Sequence, residues 1–210
     1  MIFKDYREEM IDYVHRGCED GLSRISSGNF SFRIDKNLIA ITPGGILYRS
    51  MKPEDISVVD LQGGLVEGPS PSSETPMHTA IYRQISRIKA ICHTHSIYAM
   101  VLSQLEEDVP LISIELMVCG GSIPIAPWAT PGTDRAGEVT VEIFQTREDL
   151  KVLLLRKHGL VAVGDSLDEA YNLASAAETG LEVFYKARLL GDVQAFSPVQ
   201  IMEIREVYGL

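Results

Sequence analysis

The stretch Ala90-Ile-Cys-His-Thr-His-Ser96 decides how the rest of the chain is read. It holds two of the five histidines, His93 and His95, two residues apart. Lys89-Ala-Ile-Cys92 is apolar and β-favouring after its first residue, which predicts a short strand running into the histidines. Side chains alternate along a strand, so both imidazoles leave one face while Cys92 and Thr94 leave the other. Such a pair is either half of a metal site or two hydrogen-bonded, partly buried histidines. The choice turns on whether further ligands exist elsewhere in the chain.

Upstream, Gly68-Pro-Ser-Pro-Ser-Ser-Glu-Thr75 has no helical or strand period and stops at Pro76. Proline at the first helical position after a Thr cap predicts a helix with Met77, Ala80, Ile81 and Ile85 as its buried stripe. Ser72, Ser73 and Glu74 then sit at or just before a helix N-terminus. Nearer the start, Met10, Ile11, Val14, Cys18 and Leu22 predict an amphipathic helix over about residues 6–22, with His15 off the stripe in solvent. Residues 25–34 read as a Ser/Gly/Asn loop opening into a strand. Residues 37–42, stopped by Pro43-Gly44-Gly45, supply its partner, and residues 56–61 form a further strand.

Downstream, the pattern predicts a helix over 97–105, a strand over 123–127, and a turn at 130–133 capping a helix over 134–144. Residues 151–156 and 160–164 read as strands flanking the tight turn Lys157-His158-Gly159, which sets His158 at a strand end. Ser166-Leu-Asp-Glu169 has the capping-box pattern for a long helix over 167–190. A last amphipathic segment over 198–207 precedes Tyr208-Gly-Leu210. Hairpins mixed with helices imply a central sheet with helices on both faces, in one domain spanning residues 1–210.

With 210 residues and 45% hydrophobic content, the chain can fill a sizeable core. Nineteen basic against 29 acidic residues give a formal charge of −10, which opposes non-specific binding to nucleic acid or an anionic membrane. A local site can still be positive enough for an anionic small substrate. The charged start and the lack of a run of eighteen apolar residues lead us to expect a soluble, cytoplasmic protein. Cys18, Cys92 and Cys119, with no C-x-x-C among them, read as free thiols.

The missing ligands must come from His78, His158 or acids near loops. His93, His95, His158 and one carboxylate meet the needs of a catalytic zinc site. Glu74 is the best carboxylate, being on a polar loop at a helix start just ahead of the histidine strand. His78, four residues on, either lines the same region or is a helix-face histidine bonded to a backbone carbonyl. Ser27-Gly-Asn29, Gly44-Gly45 and Ser72-Ser73 are short segments of glycine and small polar residues. They either cradle a phosphate through backbone N–H groups or are ordinary turns.

The runs Ser27-Gly-Asn-Phe-Ser-Phe-Arg33, Ile41-Thr-Pro-Gly-Gly45, Pro71-Ser-Ser-Glu74, His93-Thr-His-Ser96 and Lys157-His-Gly-Leu160 come in a characteristic order, with Pro127-Trp-Ala-Thr-Pro-Gly-Thr133 between the last two. In order and spacing, over nearly the whole chain, they resemble the class II aldolase/adducin family, nearest its aldolases for L-fuculose-type ketose 1-phosphates. The resemblance implies a three-layer α/β/α single domain around a central mixed, largely antiparallel sheet. It implies one Zn2+ per subunit on His93, His95 and His158, with Glu74 a fourth ligand that moves off to act as general base. It implies a phosphate site from Gly28, Asn29, Gly44, Gly45, Ser72 and Ser73. It gives Tyr208 the role of donating a proton to the aldehyde oxygen in a neighbouring subunit of a homotetramer with sites at its interfaces.

The implied reaction is retro-aldol cleavage of L-fuculose 1-phosphate, or a related ribulose-type 1-phosphate, to dihydroxyacetone phosphate and an aldehyde. No Schiff-base lysine is needed, and Lys157 is expected to point outward. The sequence departs from the fuculose-phosphate aldolases at Gly44, where a threonine is expected, near Glu115, where a tyrosine is, and near Pro131, where an aromatic is. These departures bear on the sugar more than on the reaction. Within the same family, a methylthioribulose-1-phosphate dehydratase would suit Glu115. A ribulose 5-phosphate epimerase is disfavoured by Glu74, where that branch has aspartate. A non-catalytic adducin-like interaction protein is disfavoured by retention of the three histidines and Glu74.

Overall fold

The structure, a computed structural model, describes residues 3–209. Met1 and Ile2 of the charged start, and Leu210 of the tail, lie outside the described residues. Helix α1 (Lys4–Glu19) leads into strands β1 (Asn29–Arg33), β2 (Leu38–Ile41), β3 (Ser57–Asp60) and β4 (Leu65–Glu67). Helix α2 (Thr75–Gln84), strand β5 (Ala90–Thr94), helices α3 (Ile97–Leu102) and α4 (Ile114–Val118), strand β6 (Ile125–Ala126) and helix α5 (Asp134–Thr146) follow. The chain ends with β7 (Val152–Leu155), β8 (Gly159–Gly164), α6 (Leu167–Leu190) and α7 (Pro198–Tyr208).

All the strands form one sheet in the order β4-β3-β2-β1-β5-β8-β7-β6. Every neighbouring pair is antiparallel except β6 and β7, so the sheet is mixed but largely antiparallel. The period of two divides the interior into two layers. Phe30, Phe32, Ala90, Cys92, Leu160 and Ala162 pack one face against α1, α3, α4 and α6. Ile39, Ile41, Ile91, Leu153, Val161 and Val163 pack the other against Met77 and Ile81 of α2 and Val139 and Phe144 of α5. Helices therefore cover both faces, as the patterning predicted. No helix among the described residues is long and apolar enough to cross a membrane.

Differences from the sequence reading have local causes. Helix α2 starts at Thr75 rather than Pro76, because the Thr75 hydroxyl donates to the Ser72 carbonyl at 2.6 Å instead of capping. The cap position falls to Glu74, whose side chain makes no cap bond and is released for other work. In the predicted capping box, Ser166 accepts from the Glu169 amide, but the Glu169 carboxylate turns back to the Asp165 amide at 2.6 Å. His15 is half-buried rather than solvated, with Nε2 bonded to the Met51 carbonyl at 3.1 Å. Strand β4 and helix α4 are too short to show a period, and β6 is only two residues long. All three cysteines are free, with Cys92 and Cys119 buried.

Candidate metal centre

Strand β5 carries His93 on the face that also presents Ile91, while Cys92 enters the opposite core layer. The strand ends at Thr94, so His95 lies one step beyond it but on the same side, its Nε2 3.1 Å from that of His93. His158 comes from the β7–β8 turn, where Lys157 takes a left-handed φ of 58° with its side chain exposed. The pairing of Thr94 with Leu160 lays that turn alongside His95. Two glycines allow the close packing. A Cβ on Gly28, at φ 78°, would lie 2.5 Å from the His93 carbonyl oxygen, and one on Gly159 would lie 2.3 Å from that of Thr94.

The fourth group is Glu74, at φ −92° and ψ 10° in the sparsely populated bridge region where α2 begins. Its Oε2 is 3.0 Å from His93 Nε2, and its Oε1 is 3.6 Å from His158 Nε2. The ligand atoms of Glu74, His93, His95 and His158 all lie within 4.8 Å of one another. His93 Nδ1 faces the Leu160 carbonyl at 2.8 Å; a carbonyl only accepts, so Nδ1 carries a proton and Nε2 is turned to the centre.

Burial alone would raise the Glu74 carboxyl, but the adjoining His93 and His158 and the Asn29 amide override it and hold it below the usual carboxylate range. Burial lowers His93, yet the Glu74 carboxylate outweighs it and the ring rises. His95 is pushed down to about 3 and His158 to about 4, in each case by burial first and by His93 second. Two imidazoles are thus kept neutral with lone pairs available, beside a carboxylate kept ionised.

The donors fit a divalent cation. Glu74 Oε1 is buried with no hydrogen-bond partner, although its sister oxygen is bonded. An ionised oxygen left so is costly unless something positive faces it. Three imidazole nitrogens and one carboxylate, with a second-layer carbonyl fixing one tautomer, are the donor set that borderline divalent metals take.

The structure answers the remaining sequence candidates one by one. His78 is neither a lining residue nor bonded to a backbone carbonyl. It is fully buried behind Asn29, with Nε2 2.5 Å from Asn29 Oδ1 and Nδ1 2.6 Å from Ser31 Oγ. Asn29 in turn donates from Nδ2 to Glu74 Oε2 at 2.8 Å, so both ends of its amide are engaged. The three small-residue segments are brought together: Tyr48 Oη donates to the Gly28 carbonyl, Gly44 N to the Ser70 carbonyl and Ser72 N to the Thr42 carbonyl. Gly44, Gly45 and Ser73 are exposed, while Ser72 is buried and its Oγ accepts from the Glu74 amide. Glu115 is half-buried in the first turn of α4. Tyr208 closes α7 and is 60% exposed, and among the described residues no hydrogen bond joins it to the metal-type cluster.

Residues 8–185 match the family model described as Class II Aldolase and Adducin N-terminal domain. The chain is 32% identical over 194 residues to the 5-deoxy-D-ribulose 1-phosphate aldolase of Bacillus thuringiensis serovar kurstaki, covering 91% of this chain and 90% of that protein. It is 32% identical over 198 residues to the 3-oxo-tetronate 4-phosphate decarboxylase of Haemophilus influenzae, covering 90% and 93%. Among solved structures, an L-fuculose 1-phosphate aldolase superposes with a TM-score of 0.91 at 32% identity, over 100% of this chain and 99% of the other.

Proposed function

The chain belongs to the class II aldolase and adducin family, and from that premise we propose that it is a divalent-metal-dependent aldehyde-lyase acting on a ketose 1-phosphate. The substrate class is L-fuculose 1-phosphate or a ribulose-type 1-phosphate, and the products are dihydroxyacetone phosphate and an aldehyde. The observation that carries this reading is the convergence of three imidazoles on the Glu74 carboxylate, whose Oε1 is buried without a hydrogen-bond partner. An adducin-like interaction protein has no use for such an arrangement. His93, His95, His158 and Glu74 would hold the cation, zinc being the best match to the donors. When bound it supplies electrophilic stabilisation of charge developing on the substrate's oxygens.

The chain's own residues do the proton work. Cleavage breaks the bond between C3 and C4, the C4 hydroxyl loses its proton to become the aldehyde, and C3 gains one. Glu74 would take up a proton on Oε1 and hand it to C3, returning to the carboxylate, while Oε2 stays tied to Asn29. The exposed Tyr208 serves the C4 oxygen in a neighbouring copy, in keeping with a homotetramer whose sites lie at its interfaces. The substrate phosphate sits against residues 27–29, 43–45 and 70–73, where Gly28, Gly45, Ser73 and the Ser72 hydroxyl offer small groups and donors, while Gly44 N, Ser72 N and the Asn29 side-chain amide are already bonded within the chain and shape the site.

A second reading, phosphosugar-acid decarboxylation, is favoured by the likeness to the Haemophilus decarboxylase. One panel separates the two. Purified protein is analysed for metal, then assayed for dihydroxyacetone phosphate with L-fuculose, 5-deoxy-D-ribulose, ribulose and methylthioribulose 1-phosphates, and for carbon dioxide with 3-oxo-tetronate 4-phosphates. We expect a stoichiometric divalent metal and triose phosphate from at least one ketose 1-phosphate. Carbon dioxide and dihydroxyacetone phosphate released together from a 3-oxo-tetronate 4-phosphate, with no triose phosphate from any ketose 1-phosphate, move the assignment to the decarboxylase, and a dehydrated product from methylthioribulose 1-phosphate moves it to the dehydratase.

A further inference from the structure

Behind Glu74 a buried chain of side chains runs from Asn29 to residues with no role in the proposed chemistry, His78, Ser31 and Tyr82. Asn29 Nδ2 lies 2.8 Å from Glu74 Oε2, and His78 Nε2 lies 2.5 Å from Asn29 Oδ1. Ser31 Oγ then lies 2.6 Å from His78 Nδ1 and 2.8 Å from Tyr82 Oη. Asn29, Ser31, His78 and Tyr82 are at most 3% exposed, so no water competes for these contacts.

Donor and acceptor counting leaves one arrangement. The ionised Glu74 carboxylate only accepts, so the Asn29 amide must present its NH2 group to it and its oxygen to His78. That oxygen only accepts, so His78 Nε2 carries a proton, and with the fully buried ring neutral, Nδ1 is bare. Nδ1 must then accept from the Ser31 hydroxyl. Tyr82 Oη, left to donate, shares its proton between Ser31 Oγ and the Ser31 carbonyl 3.0 Å away. Burial, the largest influence on the ring, holds His78 down to about 3, in agreement with a neutral imidazole. The opposite tautomer would turn the Asn29 oxygen toward the Glu74 carboxylate, setting two acceptors face to face.

We propose that His78 is a positioning residue that acts through Asn29: it locks the amide so that Glu74 Oε2 is held beside His93 Nε2 while Oε1, without a hydrogen bond, is left to carry the substrate proton. This rests on the proposed role of Glu74. Its consequence is that His78 governs turnover rather than substrate or metal binding, although it touches neither. Second-layer partners of this kind change activity by about 10- to 100-fold.

The test has two arms. In protein with 15N-labelled histidine, examined near neutral pH with and without added Zn2+, His78 should show a protonated Nε2 and a bare Nδ1. The reverse tautomer or an imidazolium overturns the proposal, whether or not any substrate has been found. In the second arm, His78→Leu removes the donor, whereas His78→Gln keeps an N–H at the position of Nε2. We expect kcat to fall about 10- to 100-fold in His78→Leu with KM within about twofold and metal content unchanged, and His78→Gln to recover most of the loss. Equal loss in both variants, or a loss expressed in KM or metal content, would overturn it. Should His78→Leu fail to fold, the tautomer still decides on unaltered protein. A wild-type protein inert toward every substrate, with the expected tautomer, would instead count against the proposed reaction alone.

Discussion

Glu74 has one oxygen bonded by Asn29 and the other with no partner, and that asymmetry sets its response to substitution. Glu74→Gln keeps the shape and leaves three imidazoles for the metal. Turnover should fall by about 10²- to 10⁴-fold, the range for losing a general acid–base group, while metal remains measurable in the purified protein. Steady-state kinetics with metal analysis check this; an active glutamine variant would remove the carboxylate from the proton transfer. Gly28 gives a packing counterpart. Alanine there meets both a φ of 78° and the His93 carbonyl at 2.5 Å, so Gly28→Ala should cost about 1–3 kcal/mol by urea unfolding. At this scale the four cluster residues were legible because histidine spacing and a polar residue at a helix start carry a chemical signature. The Asn29–His78 link was not legible in the same way. Its partners lie 49 positions apart, and only strand order brings β1 under α2.

Helix α3 is six residues long, too short to stand by itself, and it begins directly after His95 and Ser96. Its N-terminus is capped from α6: Glu178 accepts from Ser96 Oγ at 2.7 Å, from Tyr98 N at 2.8 Å and from Ala99 N at 3.0 Å. The carboxylate satisfies amides that a helix start leaves open and faces the positive end of the helix. Glu178→Ala should therefore destabilise the protein by about 1.5–3 kcal/mol, the range for bonds to a charged group, with Glu178→Gln losing less. Thermal unfolding of the two variants checks the order. Local patterns found the elements with a clear period, such as α1, α5 and α6, and placed Thr133 and Ser166 at their caps. They could not find a cap supplied from 80 residues away, nor a three-residue edge strand such as β4.

On the scale of the whole molecule, helices on both faces of a sheet were legible from hairpins mixed with helices. The order that sets β5 between β1 and β8 was not, because no local pattern encodes which strands meet. That order is what gathers a helix start, a strand end and a turn into one candidate cation site, so a metal held there would bind only the assembled fold. Saturation at about 100 times Kd should add about 2.7 kcal/mol, a rise of about 5–10 °C in Tm for a chain of this size. A chelator should reverse it, and His93→Ala should abolish the response. The C-terminus is organised on the opposite principle. Helix α7 has no buried residue among those described, and its ties to the body include the Arg205–Asp149 pair at 3.4 Å. Residues so exposed contribute little to the stability of their own chain, and the role proposed for Tyr208 is one exerted on another copy. Removing residues 208–210 should therefore leave stability within about 0.5 kcal/mol and leave the metal bound, while turnover falls by about 10²-fold or more. Mixing the truncated chain with an active-site variant such as Glu74→Gln should restore part of the activity, since hybrid assemblies place an intact Tyr208 beside an intact Glu74. Full activity in the truncated protein, or no recovery on mixing under conditions where subunits exchange, would remove the tail from the neighbour's site.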